Sequence, residues 1–142
     1  MIVNINNEQN EFEINEAKMI EIVKKVIISE YKDDNFEINI LITNNKRITE
    51  YNENFRKKSG PTDVLSFEYG LNEPVIGDIV ISSEKIYEQS KEFNNSFNNE
   101  LYYILIHGVL HILGYDHIYD ESEAEEMFEI QKKYFNLLKE EG

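Results

Sequence analysis

Leu101-Tyr-Tyr-Ile-Leu-Ile-His-Gly-Val-Leu-His-Ile-Leu113 is apolar around its whole circumference, broken only by two histidines and one glycine. A helix that is hydrophobic on all sides has to be covered by other elements. This stretch is also far shorter than the ~20 residues that cross a bilayer, so it reads as a buried helix, and what covers it decides the fold. Upstream, Asp63 to Tyr69 and Gly77 to Ser82 read as two strands, parted by a turn-rich stretch with Gly70, Asn72 and Pro74, and so as a hairpin-like pair. Further back, Phe36, Ile38, Ile40 and Ile42 alternate with Glu37, Asn39, Leu41 and Thr43, the period of a strand with one buried face. Asn15 caps a helix with Met19, Ile20, Ile22, Val23, Val26, Ile27 and Tyr31 at helical spacing, ending near Lys32. Asn44 to Phe55 reads as a short surface helix on Ile48, Tyr51 and Phe55, halted by the basic loop from Lys57 to Pro61.

Downstream of the strands, Ser82 or Ser83 caps a polar helix to about Phe93, and an Asn-rich connection over Asn94 to Asn99 leads into the apolar helix from about Glu100. Gly114 ends that helix, because glycine tolerates positive φ. Met127, Phe128, Ile130, Tyr134, Phe135, Leu137 and Leu138 give Glu121 to Glu141 the pattern of a final packed helix. The expected order is helix, strand, helix, two strands and three helices. That is an α+β fold, one domain over residues 1–142, with a small mixed sheet covered by about five helices.

Composition narrows the chemistry. The 142 residues contain no cysteine, which removes disulfides, thiolate zinc sites and cysteine nucleophiles, so any metal must be held by His, Asp or Glu. Met1 to Asn15 is polar and acidic, without the basic start and apolar core of a secretory signal, and the expected location is cytoplasmic, with no membrane partner. The formal net charge of −14 opposes unassisted attraction to nucleic acid, so a polyanionic substrate needs a local exception. Lys46, Arg47, Arg56, Lys57 and Lys58 supply one, and this island holds both arginines of the chain. For the lysines, a solvated helix end and loop explains the same residues.

All three histidines lie in His107-Gly-Val-Leu-His-Ile-Leu-Gly-Tyr-Asp-His117. Residues four apart share a helix face, so His107 and His111 can reach one ion, and Gly114 can turn the chain so that His117 approaches it from outside the helix. Three imidazoles suit zinc or another first-row divalent metal with a position left open, the arrangement of a catalytic site. A closed structural site would need a fourth ligand such as Asp116 or Asp120. The spacing is zincin-like, similar to the metzincin His-Glu-x-x-His-x-x-Gly-x-x-His. Gly108 stands where those proteases carry their general base, which weakens a metallopeptidase reading. Gly108 either leaves room for a bulky substrate group or serves helix packing. Asp116 either orients an imidazole or stabilises a turn, and Asp63 and Asp78 read as turn-closing residues at strand starts.

The histidine segment resembles the signature of the YbeY family, metal-dependent endoribonucleases of ribosomal RNA maturation. Arg56-Lys-Lys-Ser-Gly-Pro-Thr-Asp-Val-Leu-Ser-Phe67 and Gly77-Asp-Ile-Val-Ile-Ser82 are similar to two further segments of that family. The resemblance implies an α+β fold, metal at His107, His111 and His117, and a functional arginine at Arg56. It also implies single-stranded RNA as substrate, a role in 3′-end processing of the small-subunit ribosomal RNA and in ribosome quality control, and the small ribosomal subunit with its associated proteins as partners. An arginine suits such chemistry because its planar guanidinium pairs with phosphate oxygens and stays charged. The residues leave open whether water or the ribose 2′-OH attacks. A noncatalytic ribosome-assembly factor with a structural metal is the alternative reading.

Overall fold

A computed structural model describes residues 1–56, 60–115 and 121–140. The elements are β1 (Ile2–Asn7), α1 (Glu16–Tyr31), β2 (Glu37–Thr43), α2 (Asn45–Phe55), β3 (Val64–Glu68), β4 (Val75–Ser82), α3 (Ser83–Glu92), α4 (Phe97–Ile112) and α5 (Glu121–Leu138). The strands form one mixed sheet in the order β1-β2-β4-β3. β1, β2 and β4 run parallel, and β3 lies antiparallel to β4 as the expected hairpin partner. Five helices and a mixed sheet match the sequence reading, with one addition at the edge: β1, in the polar stretch from Met1 to Asn15 to which the sequence reading assigns no element. Val3 and Ile5 alternate with Asn4 and Asn6, and register beside Ile38 and Ile40 of β2. Asparagine is depleted in strands, which hides this short edge strand from a propensity reading.

One face of the sheet carries the main core. Ile38, Ile40, Ile42, Ile79 and Ile81 pack beneath α1, through Met19, Ile22, Val23, Val26 and Ile27, and beneath α4, through Leu105, Val109 and Leu110. α4 contacts α1, α3, α5, β3 and β4, which explains its apolar circumference. It begins at Phe97 rather than Glu100, because the Ser96 side chain accepts the Asn99 N–H and sets the N-terminus one turn earlier. At its other end the Tyr115 N–H bonds Leu110 O and the Gly114 N–H bonds His111 O, with Gly114 at φ +103°. This pair of reversed bonds is the expected glycine terminus. Asn15, Asn44 and Ser82 cap α1, α2 and α3. Glu30 of α1 accepts from both Tyr115, just after α4, and Tyr134 of α5, tying three helical segments together.

The second face is only partly covered. α2 crosses it, closing a small cluster of Ile48, Leu65 and Val80, and leaves the rest of the face open. Asp78, expected at the start of a strand, sits inside β4 on this face, hydrogen-bonded to Asn39 and Tyr69. Asp63 does precede β3, where its carboxylate accepts the Val64 N–H and the Gln89 amide. Among the described residues, no helix is long and apolar enough to cross a membrane.

Candidate active site

His107 and His111 lie one turn apart in the last part of α4, and their Nε2 atoms are 3.1 Å from each other. Two nitrogens bound tetrahedrally at ~2.05 Å from one zinc ion are about 3.3 Å apart, so the pair is spaced as two ligands of a single ion would be. Gln131 of α5 settles which nitrogens are available. Its amide nitrogen donates to the Tyr103 carbonyl at 3.0 Å, and its oxygen meets His107 Nδ1 at 3.1 Å. A carbonyl only accepts, so the Gln131 amide group faces Tyr103 and the Gln131 oxygen receives the Nδ1 proton of His107. With that proton on Nδ1, the lone pair of neutral His107 is on Nε2, the atom aimed at His111. An outer partner that fixes the imidazole tautomer in this way is characteristic of metal-binding histidines.

Gln131 escaped the sequence reading, although a signal existed. On α5 it shares one buried stripe with Met127, Tyr134 and Leu138. A polar side chain in such a stripe must find a partner. His117, the third expected ligand, lies outside the described residues, as do Asp116, Asp120, Lys57 and Lys58. Among the described residues no three potential ligand side chains come together. The donor set that is described, two neutral-capable imidazoles converging through Nε2, fits a divalent first-row metal.

Gly108 is buried against the sheet. A Cβ built there would stand 3.1 Å and 3.3 Å from two carbons of Ile79 and 3.4 Å from Ser66 Oγ. Of the two roles open to it, the structure assigns close packing of α4 on β3 and β4. Ser66 Oγ also reaches the Gly108 carbonyl at 3.4 Å. On the other side of the same residue, the Arg56 guanidinium donates to the Ser66 carbonyl and lies 5.3 Å from the Phe67 ring centre. Arg56 therefore stands at the free edge of β3, linked through Ser66 to the residue that follows His107. It closes α2, where its N–H bonds Asn52 O, and the buried Asn52 side chain in turn holds the Gly60 carbonyl at 2.9 Å. That bond anchors the far end of the basic loop; Asn52 was not singled out by sequence.

A sequence profile of the family described as endoribonuclease YbeY matches residues 4–139. The chain belongs to the endoribonuclease YbeY family. A YbeY protein of Petrotoga mobilis is 58% identical over 97% of this chain and 96% of its own length. One from Thermotoga maritima is 41% identical over 82% of this chain and 73% of its own length. A solution structure of a Thermotoga maritima protein superposes with a TM-score of 0.65 at 32% identity, covering 96% of this chain and 89% of the other. The match to YbeY proteins thus spans the sheet, the histidine helix α4 and the Gln131 helix α5 together.

Proposed function

We propose that this chain is a metal-dependent endoribonuclease that cuts single-stranded RNA, acting in 3′-end maturation of the small-subunit ribosomal RNA and in ribosome quality control in the cytoplasm. Its partners on this reading are ribosomal RNA and the small ribosomal subunit with its associated proteins. The observation that carries the enzymatic reading is the convergence of His107 and His111 through Nε2 atoms 3.1 Å apart, with the His107 tautomer set by Gln131. His107, His111 and His117 would hold one zinc or other first-row divalent ion, leaving a position for reactants. When bound, that ion supplies Lewis-acid chemistry at a phosphoryl oxygen and lowers the pKa of water.

The chain's own residues do the rest. Gln131 keeps the Nδ1 proton of His107 in place, so Nε2 remains a lone-pair donor throughout the cycle. Arg56 has five N–H donors and spends one nitrogen on Ser66, leaving others for a phosphate oxygen on which charge develops. The Ser66 contact and the Phe67 ring fix the direction of the guanidinium before substrate arrives. Whether water or the neighbouring 2′-OH attacks is read from the products, a 5′-phosphate in the first case and a 2′,3′-cyclic phosphate in the second.

The test begins with elemental analysis of protein purified without chelator, where one ion per chain is expected. Cleavage of single-stranded RNA by rigorously purified protein is then compared with His111→Ala and Arg56→Ala. We expect loss of activity in the first and a fall of about 10²–10³ in turnover in the second. Unchanged cleavage in both variants assigns the activity to a contaminant and leaves a ribosome-assembly factor; cleavage of a generic peptide substrate instead would identify a metallopeptidase.

A further inference from the structure

The open face of the sheet holds a groove of about 700 Å³, on the side opposite α4. Three features meet there. Asn4, Asn39, Asp78 and Phe67 lie side by side across all four strands, because each is the register partner of the next. Their polar groups form a ladder: Asn4 Nδ2 donates to Asn39 Oδ1 at 2.8 Å, Asn39 Nδ2 to Asp78 Oδ1 at 3.0 Å, and the Tyr69 hydroxyl to Asp78 Oδ2. Beside the ladder stands an aromatic group. The Phe55 ring meets Phe67 edge-on at 6.0 Å and lies 5.9 Å from Tyr51, while Phe55 and Tyr69 are 64% and 51% exposed. Finally, both arginines of the chain lie against these rings, Arg47 at 5.5 Å from Tyr51 and Arg56 at 5.3 Å from Phe67.

Exposed rings cost free energy unless something covers them, and here the covering must also suit two guanidinium groups and a row of amides. A nucleobase offers a flat apolar face with polar edges, and it travels with a phosphate. Rings on an open sheet flanked by arginine are the physical basis of single-strand binding. A row of four strands spans three gaps of ~4.8 Å, room for about two or three bases. Three carboxylates lie on or beside this face: Asp78 already accepts on both oxygens, Glu37 accepts from Asn4 Nδ2 at 2.9 Å, and Glu8 interacts electrostatically with Arg47.

We propose that this face is a base-binding platform for single-stranded RNA, with bases stacked on Phe55, Phe67 and Tyr69 and their edges met by the Asn4–Asn39 amides. The strand then passes over the β3 edge at Arg56 to reach the histidines. This rests on the endoribonuclease reading for its substrate class, but it concerns a surface remote from the metal ligands.

The test is fluorescence anisotropy of a labelled single-stranded RNA with the full chain in chelator, where binding is measured without cleavage. Phe55→Ala and Tyr69→Ala are each expected to weaken binding about tenfold or more, with Phe55→Tyr retaining it. The same two alanine variants are expected to bind an abasic ribose-phosphate strand as the unmodified chain does. Folding is checked by urea titration, where Phe55→Ala, at a 64% exposed ring, is expected to keep the midpoint and Tyr69→Ala to lower it modestly through the lost bond to Asp78, with both variants still folded at the working concentration. RNA affinity that is unchanged in both variants, or lost equally for the abasic strand, overturns the platform. If it is overturned while His111→Ala still abolishes cleavage, the endoribonuclease reading stands alone. Loss of binding in Phe55→Ala, with no cleavage by the unmodified protein in any divalent metal, leaves the platform without the nuclease.

Discussion

Replacing Gln131 by leucine tests the logic of the site without touching an imidazole. The Gln131 side chain is 1% exposed and makes two hydrogen bonds, at 3.1 Å to His107 Nδ1 and 3.0 Å to the Tyr103 carbonyl. Leucine fills similar volume and supplies neither. The His107 ring then loses the partner that holds both its rotation and its tautomer, a change that lowers metal affinity by about 10–100-fold in comparable sites. That corresponds to about 1.4–2.8 kcal/mol. The abandoned buried N–H separately lowers the stability of the metal-free protein by about 1–3 kcal/mol. Competition of a chromogenic chelator for zinc gives the first quantity and urea unfolding in excess chelator the second. Gln131→Glu retains an acceptor for His107 and is expected to keep most of the zinc affinity, although its lost bond to Tyr103 lowers stability. Should Gln131→Leu lose stability yet bind zinc as tightly as the unmodified chain, Gln131 is only a satisfied core amide and the tautomer argument fails.

Three further outcomes follow from other parts of the molecule. A Cβ at Gly77 would lie 2.4 Å from Ile112 Cδ1 and 2.8 Å from the Phe67 carbonyl, and backbone cannot yield as a side-chain tip can. Gly77→Ala is therefore expected to cost about 1–3 kcal/mol, read as a lower urea midpoint. The Tyr134 hydroxyl is pushed up to about 12 by burial and by its bond to Glu30, and that of Tyr69 to about 12 by its bond to Asp78 and by burial. Between pH of about 10 and 12 the native chain then holds more protons than the unfolded one, where tyrosine titrates near 10. Their contribution is intact below pH ~10 and lost as pH rises through 12; unfolding followed across that window should slope downward, and less so in Tyr134→Phe. Affinity for isolated single-stranded RNA should be weak and fall with salt at a log–log slope of about −1 to −2, since two arginines contact few phosphates. A steep slope in an anisotropy titration would reveal a basic surface larger than Arg47 and Arg56.

Elements with strong local instructions were legible in the sequence. Asn15 caps α1 as its position predicts, Ser82 rather than Ser83 caps α3, and the alternation over Phe36–Thr43 becomes the interior strand β2. The i,i+4 pairing of His107 and His111 followed from helical geometry alone. What stayed hidden depends on contacts distant in sequence. β1 becomes recognisable as a strand only beside β2, because Val3 and Ile5 have too little local signal among asparagines. Asp78 looked like a turn residue because its partners, Asn39 and Tyr69, come from two other strands or their ends. Tyr51, Phe55, Phe67 and Tyr69 form one patch only because α2 crosses the face on which β3 presents its alternate side chains.

The bonds of Glu30 and Gln131 also carry a timetable. Glu30 finds its hydroxyl partner on α5 only after 104 further residues, and His107 meets the amide that orients it after 24. During synthesis the histidine helix is thus made before the group that fixes its proton. A chain still being translated through α4 holds its imidazoles without their brace, and the competent arrangement has to wait for α5.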